Sequence, residues 1–326
     1  ATTLAEDCYY GMFEGCTGLT TAPELPATTL ADSCYYGMFA STNVLPDCAN
    51  IDFTNITVIA SGGLSGLFLK TKVTDADLER ILPKNSEGKY CLPANILASS
   101  CYYNMFYGCT SLTTAPELPA TTLATGCYMG MFQGCTSLTT APELPATTLA
   151  DNCYTRMFND CTSLVNAPEL PATTLELSCY KSMFERCTSL TSAPELPATT
   201  LVDYCYHSMF MNCTGLTSAP ELPATTLARY CYGYMFNACT SLTEAPVLPA
   251  ITLAINCYAY MFYCCSNLNK IIMLATDISA NKCLYNWVSD VSSSGTFVKH
   301  PNMTTLPNGI SGIPEGWTVE DYLESA

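Results

Sequence analysis

The chain has 326 residues, of which 28 are acidic and 12 are Lys or Arg, so its formal net charge at pH 7 is −16. This charge repels phosphate backbones and argues against nucleic-acid binding. Charged residues make up only 12% of the chain and hydrophobic residues 49%, which excludes a disordered, highly charged protein. No apolar run approaches the ~20 residues of a membrane-spanning helix, so no such segment is expected.

A repeat of 26 residues organises the chain. Because a unit this small cannot bury its own apolar face, stacked copies must share one core. The predicted fold is an α/β repeat, a right-handed leucine-rich-repeat solenoid at 1–288 with a parallel sheet on one face and short helices on the other. Close copies of the phrase APELPATTLATGCYMGMFQGCTSLTT start at Ala115, Ala141, Ala167, Ala193, Ala219 and Ala245, and an earlier copy starts at Ala22.

Each repeat contains one predicted helix and one predicted strand. Cys153, Met157 and Cys161 are spaced by four residues, and Tyr154 and Phe158 follow the first two. This pattern predicts a short helix whose apolar stripe faces the core. The tyrosines and phenylalanines of the stripe are expected to pack inside rather than to bind sugars. The Thr-Ser-Leu-Thr-Thr stretch that follows predicts a short strand, which the prolines of APELP end.

Two regions depart from the repeat. One coil, at about 48–88, is expanded, because Leu67-Phe68 stand in for the usual Met-Phe pair about three residues late and about twelve residues are inserted around 75–86. Thr74 followed by Asp75 and Asp77 predicts a capped short helix that ends before Pro83. Residues 289–326 are predicted to cap the open end of the solenoid.

Three phrases, MFQGCTSLTTAPELPATTLA, NWVSDVSSSGTFVKHPNM and GIPEGWTV, resemble the BspA-like leucine-rich-repeat surface proteins of anaerobic gut and oral bacteria. The resemblance covers essentially the whole chain. It implies an extracellular, non-enzymatic recognition or adhesion module that binds host or bacterial surface proteins or glycans, with a signal or anchor upstream of Ala1. The alternative is a structural or receptor-binding component of a phage fibre. The family supplies no catalytic residues.

Two sets of charged residues are candidate binding sites. The inserted loop carries Asp75, Asp77, Glu79, Arg80 and Lys84, and we expect it to bind a protein, since loops inserted into solenoids are common binding elements. A tolerated insertion without a function is the alternative. The second set is a row of one glutamate per repeat, which either keeps the surface solvated or binds a polysaccharide, a basic partner or, weakly, Ca²⁺: Glu117, Glu143, Glu169, Glu195 and Glu221.

The 21 cysteines fall mainly at two positions of the repeat, and no Cys-x-x-Cys motif occurs. They are expected to be free, buried thiols that act as small hydrophobic residues, with Cys91 and Cys264 as the strongest candidates for exceptions. His207 and His300 are expected to be ordinary surface residues. No catalytic, cofactor-binding or metal site is therefore predicted, and no cofactor is expected.

Overall fold

The computed structural model describes residues 4–42, 51–56 and 58–323. The chain divides into two compact units, Ala1–Leu164 and Val165–Ala326, and each unit is a stack of repeats. The predicted division into a solenoid at 1–288 and a cap at 289–326 stays a prediction, as does the right-handed sense of the solenoid. Cys48, where the expanded coil is predicted to begin, lies outside the described residues.

The first unit contains little regular secondary structure among its described residues. Strand β1 (Thr29–Leu30) pairs in parallel with β2 (Val58–Ile59), and helix α1 spans Asp75–Ile81. Other repeats of this unit pair through single parallel bridges, such as Thr114 with Thr140. The predicted parallel pairing is confirmed, but the strands are shorter than predicted, since the prolines of APELP have no N–H group with which to extend a ladder.

The second unit ends in a regular sheet. Its strands are β3 (Glu244–Leu248), β4 (Lys270–Met273), β5 (Thr296–Lys299) and β6 (Thr318–Asp321), all parallel and adjacent in this order. The indole of Trp287 is buried and its Nε1–H donates to the Gly312 carbonyl at 2.9 Å. The Trp317 indole donates to the Ser292 carbonyl at 2.7 Å. The residues after the last regular repeat thus extend the sheet and are tied to it by two tryptophans.

The helix predicted for each repeat is wrong. In its place stands a segment of overlapping β-turns, which we call a turn segment. In one of them the N–H groups of Cys101, Tyr103 and Met105 donate to carbonyls three residues earlier, whereas α-helical donors reach four residues back. Turn segments occupy 6–15, 32–41, 61–70, 99–108, 125–134 and 151–160 in the first unit and 177–186, 203–212, 229–238, 255–264 and 281–290 in the second.

The other N–H groups of a turn segment bind the next repeat. Along the backbone, N–H groups that bond to the next repeat alternate with N–H groups that close a turn within the segment. The backbone polar groups are therefore satisfied although the core side of the segment is buried. Between segments 99–108 and 125–134 the bonds measure 2.7–3.1 Å and run from the N–H groups of Ser100, Tyr102, Asn104, Phe106 and Gly108 to the carbonyls of Thr125, Cys127, Met129, Met131 and Gln133.

Every fourth residue of a turn segment has a positive φ. In segment 125–134 the φ angles of Gly126, Gly130 and Gly134 are 60°, 62° and 75°. A type II turn requires such an angle at its third residue, which favours Gly and Asn. The apolar stripe therefore follows a turn period of four residues rather than the helical period of about 3.6.

The core of each unit is built from the stacked side chains of its turn segments. In segment 125–134 and the residue after it, Cys127, Tyr128, Met131, Phe132 and Cys135 are fully buried. Rings at equivalent positions stack between neighbouring repeats at 5.6 Å for Phe106–Phe132 and 5.8 Å for Tyr102–Tyr128. Burial of each ring contributes roughly 1.5–3 kcal/mol.

The predicted expansion of one coil is confirmed in the part that the structure describes. The Phe68 ring stacks between Phe39, at 6.3 Å, and Phe106, at 5.8 Å. Phe68 follows Phe39 by 29 residues and precedes Phe106 by 38, whereas equivalent residues of regular repeats are 26 apart. The excesses of three and twelve residues are those predicted. The predicted capping box is also present, since the Thr74 hydroxyl accepts the Asp77 N–H and the Asp77 carboxylate accepts the Thr74 N–H.

Sixteen of the 20 described cysteines are buried, as predicted, and none of the 20 forms a disulfide. The Cys135 thiol donates to the Phe106 carbonyl at 3.1 Å, a bond that recurs from repeat to repeat. Four described cysteines lie outside the buried set, and two of them are the expected exceptions: Cys8, Cys16, Cys91 and Cys264. Burial raises the pKa of Cys101, Cys127 and Cys257 to about 12.

Gly134→Ala and Ala238→Gly form a matched test of the turn segment. Both residues occupy the same repeat position with a positive φ, 75° and 58°, and a Cβ at Gly134 would meet only ordinary contacts, 3.6 Å from Gly108 Cα. Because L-residues avoid this region, urea denaturation should show Gly134→Ala destabilised and Ala238→Gly stabilised, each by roughly 1 kcal/mol. In an α-helix, Gly134→Ala would instead stabilise the protein and Ala238→Gly would destabilise it.

Stability should fall steeply above pH 9. The ordinary thiol pKa of 9.0 rises to about 12 for buried thiols such as Cys101, so their contribution is complete below pH 9 and is lost as the pH rises toward 12. Each such thiol costs up to about 1.4 kcal/mol per pH unit in this window. Thermal unfolding between pH 7 and 11 measures the slope, which Cys101→Ala and Cys127→Ala should reduce. A midpoint independent of pH would contradict the prediction.

Candidate functional site

The inserted residues form a small folded element, which we call the insert (residues 74–91). Helix α1 buries Leu78 and Ile81, and a hairpin follows in which Lys84 pairs in antiparallel fashion with Tyr90. The hairpin turn is held by the Asn85 side chain, whose Oδ1 accepts the N–H groups of Glu87 and Lys89 at 2.9 and 3.0 Å. The insert is therefore an ordered element.

Asp75 attaches the insert to the following repeat. Its carboxylate accepts the N–H groups of Thr113 and Thr114 at 2.9 and 3.2 Å, and also the Thr113 hydroxyl. The Tyr90 hydroxyl donates to the Thr114 carbonyl at 3.0 Å. Cys91 then forms a parallel bridge with Glu117. These bonds fix the insert on the strand side of its unit and give Asp75 a structural role.

All five predicted loop residues lie on the insert. Apart from Asp75, they form two ion pairs. Arg80 lies 2.7 Å from the Asp77 carboxylate, and Lys84 lies 2.7 Å from the Glu79 carboxylate. The hydrogen bond and charge of Lys84 lower the pKa of Glu79. Asp77 also caps α1, whereas the side chains of Glu79, Arg80 and Lys84 are about half exposed. Of the five predicted residues, these three are the exposed ones, and the insert also exposes a further ion pair, Glu87 with Lys89.

The predicted glutamate row is uneven. Glu117 is half-buried and lies 3.5 Å from the Lys89 ammonium, and Glu143 is exposed. In the second unit Glu169, Glu195 and Glu221 are exposed, and the last two line a shallow groove with several prolines. Among the described residues, no three His, Cys, Asp or Glu side chains are grouped to hold a metal ion. Weak Ca²⁺ binding by this row stays a prediction.

A cluster of tyrosines lies on the solvent side of the turn segments of the second unit. Tyr204 stacks on Tyr230 with ring centroids 5.0 Å apart, and Tyr234 stacks on Tyr260 at 4.5 Å. The Tyr260 ring also meets the next segment edge-on. We call this set the tyrosine surface: Tyr204, His207, Tyr230, Tyr234, Tyr260, Tyr263 and Tyr285.

His207 lies among these rings. Its centroid is 5.6 Å from Tyr204, 5.8 Å from Tyr230 and 5.4 Å from Tyr234. Burial, followed by the positive charge of Lys181, lowers the pKa of His207 to about 4, so the imidazole is neutral at pH 7. His207 is therefore a half-buried member of an aromatic cluster, unlike the ordinary surface histidine that we expected.

Three cations lie against the rings of the tyrosine surface. The Lys181 ammonium is 5.4 Å from the Tyr204 centroid, and the Lys282 ammonium is 5.3 Å from the Tyr285 centroid. The Arg229 guanidinium lies 5.6 Å from Tyr230 and 6.0 Å from Tyr204. These distances fall within the range of cation–π attraction.

Sequence reasoning missed this surface because it treated the aromatic residues as core. Four of the tyrosines, at 204, 230, 234 and 260, occupy positions with φ between 54° and 59°. Other repeats carry Gly, Asn or Ser at the same positions, for example Gly126, Gly130, Ser182 and Asn256. The tyrosine surface could have been recognised in the sequence from these bulky residues at positions where other repeats carry turn-forming residues.

The model of the BspA type leucine rich repeat region matches residues 99–243 and 152–289, with six copies of the repeat. The chain belongs to this family. The resemblance stated from the sequence is thus confirmed. Leucine-rich-repeat families are generally non-enzymatic, and this BspA-type repeat protein has no helix, among its described residues, that is long and apolar enough to cross a membrane.

Among solved structures, this repeat protein is similar to the crystal structure of a leucine-rich repeat protein from Bacteroides ovatus. The identity is 14%, the match covers 96% of this chain and 86% of that chain, and the TM-score is 0.37. A likeness this weak carries no argument about function. No curated protein matches the chain.

Asp75→Ala should release the insert from the following repeat. The substitution leaves the N–H groups of Thr113 and Thr114 without their acceptor, and loss of such bonds to a charged group costs roughly 1.5–3 kcal/mol. Limited proteolysis should then cut the insert faster, and urea denaturation should begin earlier. The matched control is Glu79→Gln, which removes an exposed ion pair and should leave both measurements unchanged. Equal behaviour of the two variants would contradict the anchoring role.

Proposed function

We propose that this protein is a non-catalytic recognition module of the cell surface or the extracellular space, which binds surface proteins of a host or of other bacteria. Membership of the BspA-type family supports a protein-binding role, because these repeat proteins are typically surface-exposed or secreted. The observation that carries the proposal is the insert, an ordered element whose sequence occurs once in an array of near-identical repeats.

Repeat architecture suits such a role. The turn segments tie successive repeats together by a backbone hydrogen bond at every second residue, so an element attached to them is held in one conformation. A preorganised element loses little conformational entropy when it binds, which favours affinity.

The surface of the insert is polar, as expected for a binding surface that is exposed to solvent before the partner binds. Its exposed charged side chains, which include Glu79, Arg80 and Lys84, carry both signs of charge. Mixed charges contribute to partner choice and orientation more than to affinity. The near-uniform APELP stretches of the repeats cannot form a unique epitope for a protein, whereas the insert can.

The test compares the native protein with a deletion of residues 75–86, which returns the spacing of Phe68 and Phe106 to that of a regular repeat. Binding to immobilised host matrix proteins and to whole bacterial cells is measured by biolayer interferometry and flow cytometry. We expect the deletion to abolish binding. A triple variant, Glu79→Gln, Arg80→Gln and Lys84→Gln, keeps the Asp75 anchor and should weaken binding without unfolding the insert.

The control for this test is Glu143→Gln, Glu169→Gln and Glu195→Gln, which neutralises the uniform row. It should bind as the native protein does. Unchanged binding by the deletion variant, together with loss of binding by this control, would place recognition on the glutamate row and favour a glycan or a cation-mediated contact. Absence of binding by the native protein to every probe would refute the proposed function.

A further inference from the structure

We propose that the tyrosine surface is a second recognition site, which takes an acidic segment of a partner protein. The inference rests on the proposed recognition function but uses other residues, on the turn segments of the second unit. It is carried by three observations: the backbone conformation of the tyrosines, the space kept for their rings, and the charges that lie against them.

The fold does not need tyrosine at these positions. At the position of Tyr204 and Tyr230, neighbouring repeats carry Ser178 and Asn256. At the position of Tyr234 and Tyr260, a neighbouring repeat carries Ser208. A large side chain with positive φ costs roughly 1–2 kcal/mol per residue. Residues held in such conformations cluster at functional sites, where the surrounding structure maintains them.

Gly233 keeps room for the rings. Its φ is not among the positive ones, so the turn itself does not require glycine there. A Cβ at Gly233 would lie 3.1 Å from Cδ1 of Tyr230 and 3.2 Å from Cδ2 of His207. Other repeats carry larger residues at this position, such as Lys181 and His207 itself. The missing side chain therefore allows the aromatic cluster to close across successive repeats.

The exposed parts of the cluster favour carboxylates. Stacking covers ring faces and leaves edges in solvent, and the edge of an aromatic ring is the positive end of its quadrupole. Lys181, Arg229 and Lys282 add full positive charges, and no carboxylate lies within salt-bridge distance of them among the described residues. By contrast, Lys270 and Lys299 of the same unit are paired with Glu244 and Asp321.

The acidic side chain next to Tyr204 in sequence does not neutralise this surface. The Asp203 carboxylate accepts the backbone N–H of Arg229 at 3.0 Å, and that bond leaves the guanidinium on the rings of Tyr204 and Tyr230. In a chain with a net charge of −16, three of the 12 Lys and Arg residues thus lie together on this surface. Charge complementarity therefore selects an acidic ligand.

A protein segment fits this surface better than an acidic glycan. Sugars bind aromatic residues through open ring faces, and here Tyr204 covers Tyr230 and Tyr234 covers Tyr260. Ile255, whose carbonyl accepts the Tyr230 N–H, is 46% exposed and offers an apolar contact. Tyrosine and arginine dominate the binding energy of protein interfaces, and rings that are already stacked have little entropy left to lose.

The test uses Tyr204→Ser, Tyr230→Asn and Tyr234→Ser in one variant, which introduces residues that other repeats carry at the same positions. The probe is a fluorescein-labelled peptide of alternating Glu and Leu, and the matched control probe has Gln in place of Glu. Fluorescence polarisation should show binding of the acidic peptide that weakens with salt. The variant should bind it at least about tenfold more weakly, a loss of about 1.4 kcal/mol.

A control variant, Tyr103→Ser with Tyr107→Ser, removes two half-buried tyrosines of the first unit and should bind as the native protein does. The thermal midpoint of the triple variant should equal or exceed the native value, because Ser and Asn replace strained tyrosines. Equal binding of the acidic peptide by the native protein and the triple variant would overturn the proposal. Binding of alginate but not of the acidic peptide would also overturn it, in favour of an acidic glycan.

These outcomes separate the tyrosine surface from the proposed function. Failure of the acidic peptide to bind, while the native protein still binds matrix proteins or cells, refutes only the tyrosine surface. Failure of every probe refutes both. Loss of peptide binding in the triple variant and its retention in the deletion of residues 75–86 supports a site that is independent of the insert.

Discussion

Hydrogen bonding between the turn segments of neighbouring repeats is the interaction on which the rest of the structure depends. Every second N–H closes a turn and the others donate to the next repeat, so the backbone can be buried at close spacing without unsatisfied polar groups. This arrangement requires a positive φ at every fourth residue. The same period places Cys, Tyr, Met and Phe on the core side in successive pairs, where they form columns of stacked rings.

The strand side depends much less on regular pairing. Over much of the array it is reduced to bridges such as Thr122 with Thr148, and it tolerates two prolines per repeat because the turn segments already join the coils. A side with little regular pairing can accept an insertion. The insert uses this freedom, since Asp75 binds N–H groups of Thr113 and Thr114 that a longer strand would have engaged in its own ladder.

Much of the fold follows from local sequence, and the failures have physical causes. The repeat length, the buried positions, the two offsets around Phe68 and the Thr74 cap are all patterns of adjacent residues. The helix was wrong because a period of four residues and one of about 3.6 nearly coincide over ten residues; Gly126, Gly130 and Gly134, spaced by four, were the contrary signal. The role of Asp75 lies in a contact with Thr113, which no local pattern contains.

The positive φ at every fourth residue, which disfavours bulky side chains, also explains why the tyrosine surface is unusual. An isolated exception to this preference is Arg156, whose equivalents in the adjacent repeats are Gly130 and Ser182, and it bears its conformational cost alone. Tyr204 and Tyr230, and likewise Tyr234 and Tyr260, are exceptions in adjacent repeats, so their rings stack on one another. Such pairs recover about 0.5–1.5 kcal/mol, comparable to the roughly 1–2 kcal/mol that one positive φ costs. Stacking alone therefore offsets only part of the strain in each pair, and we attribute tyrosine at these four positions to the proposed recognition of a partner.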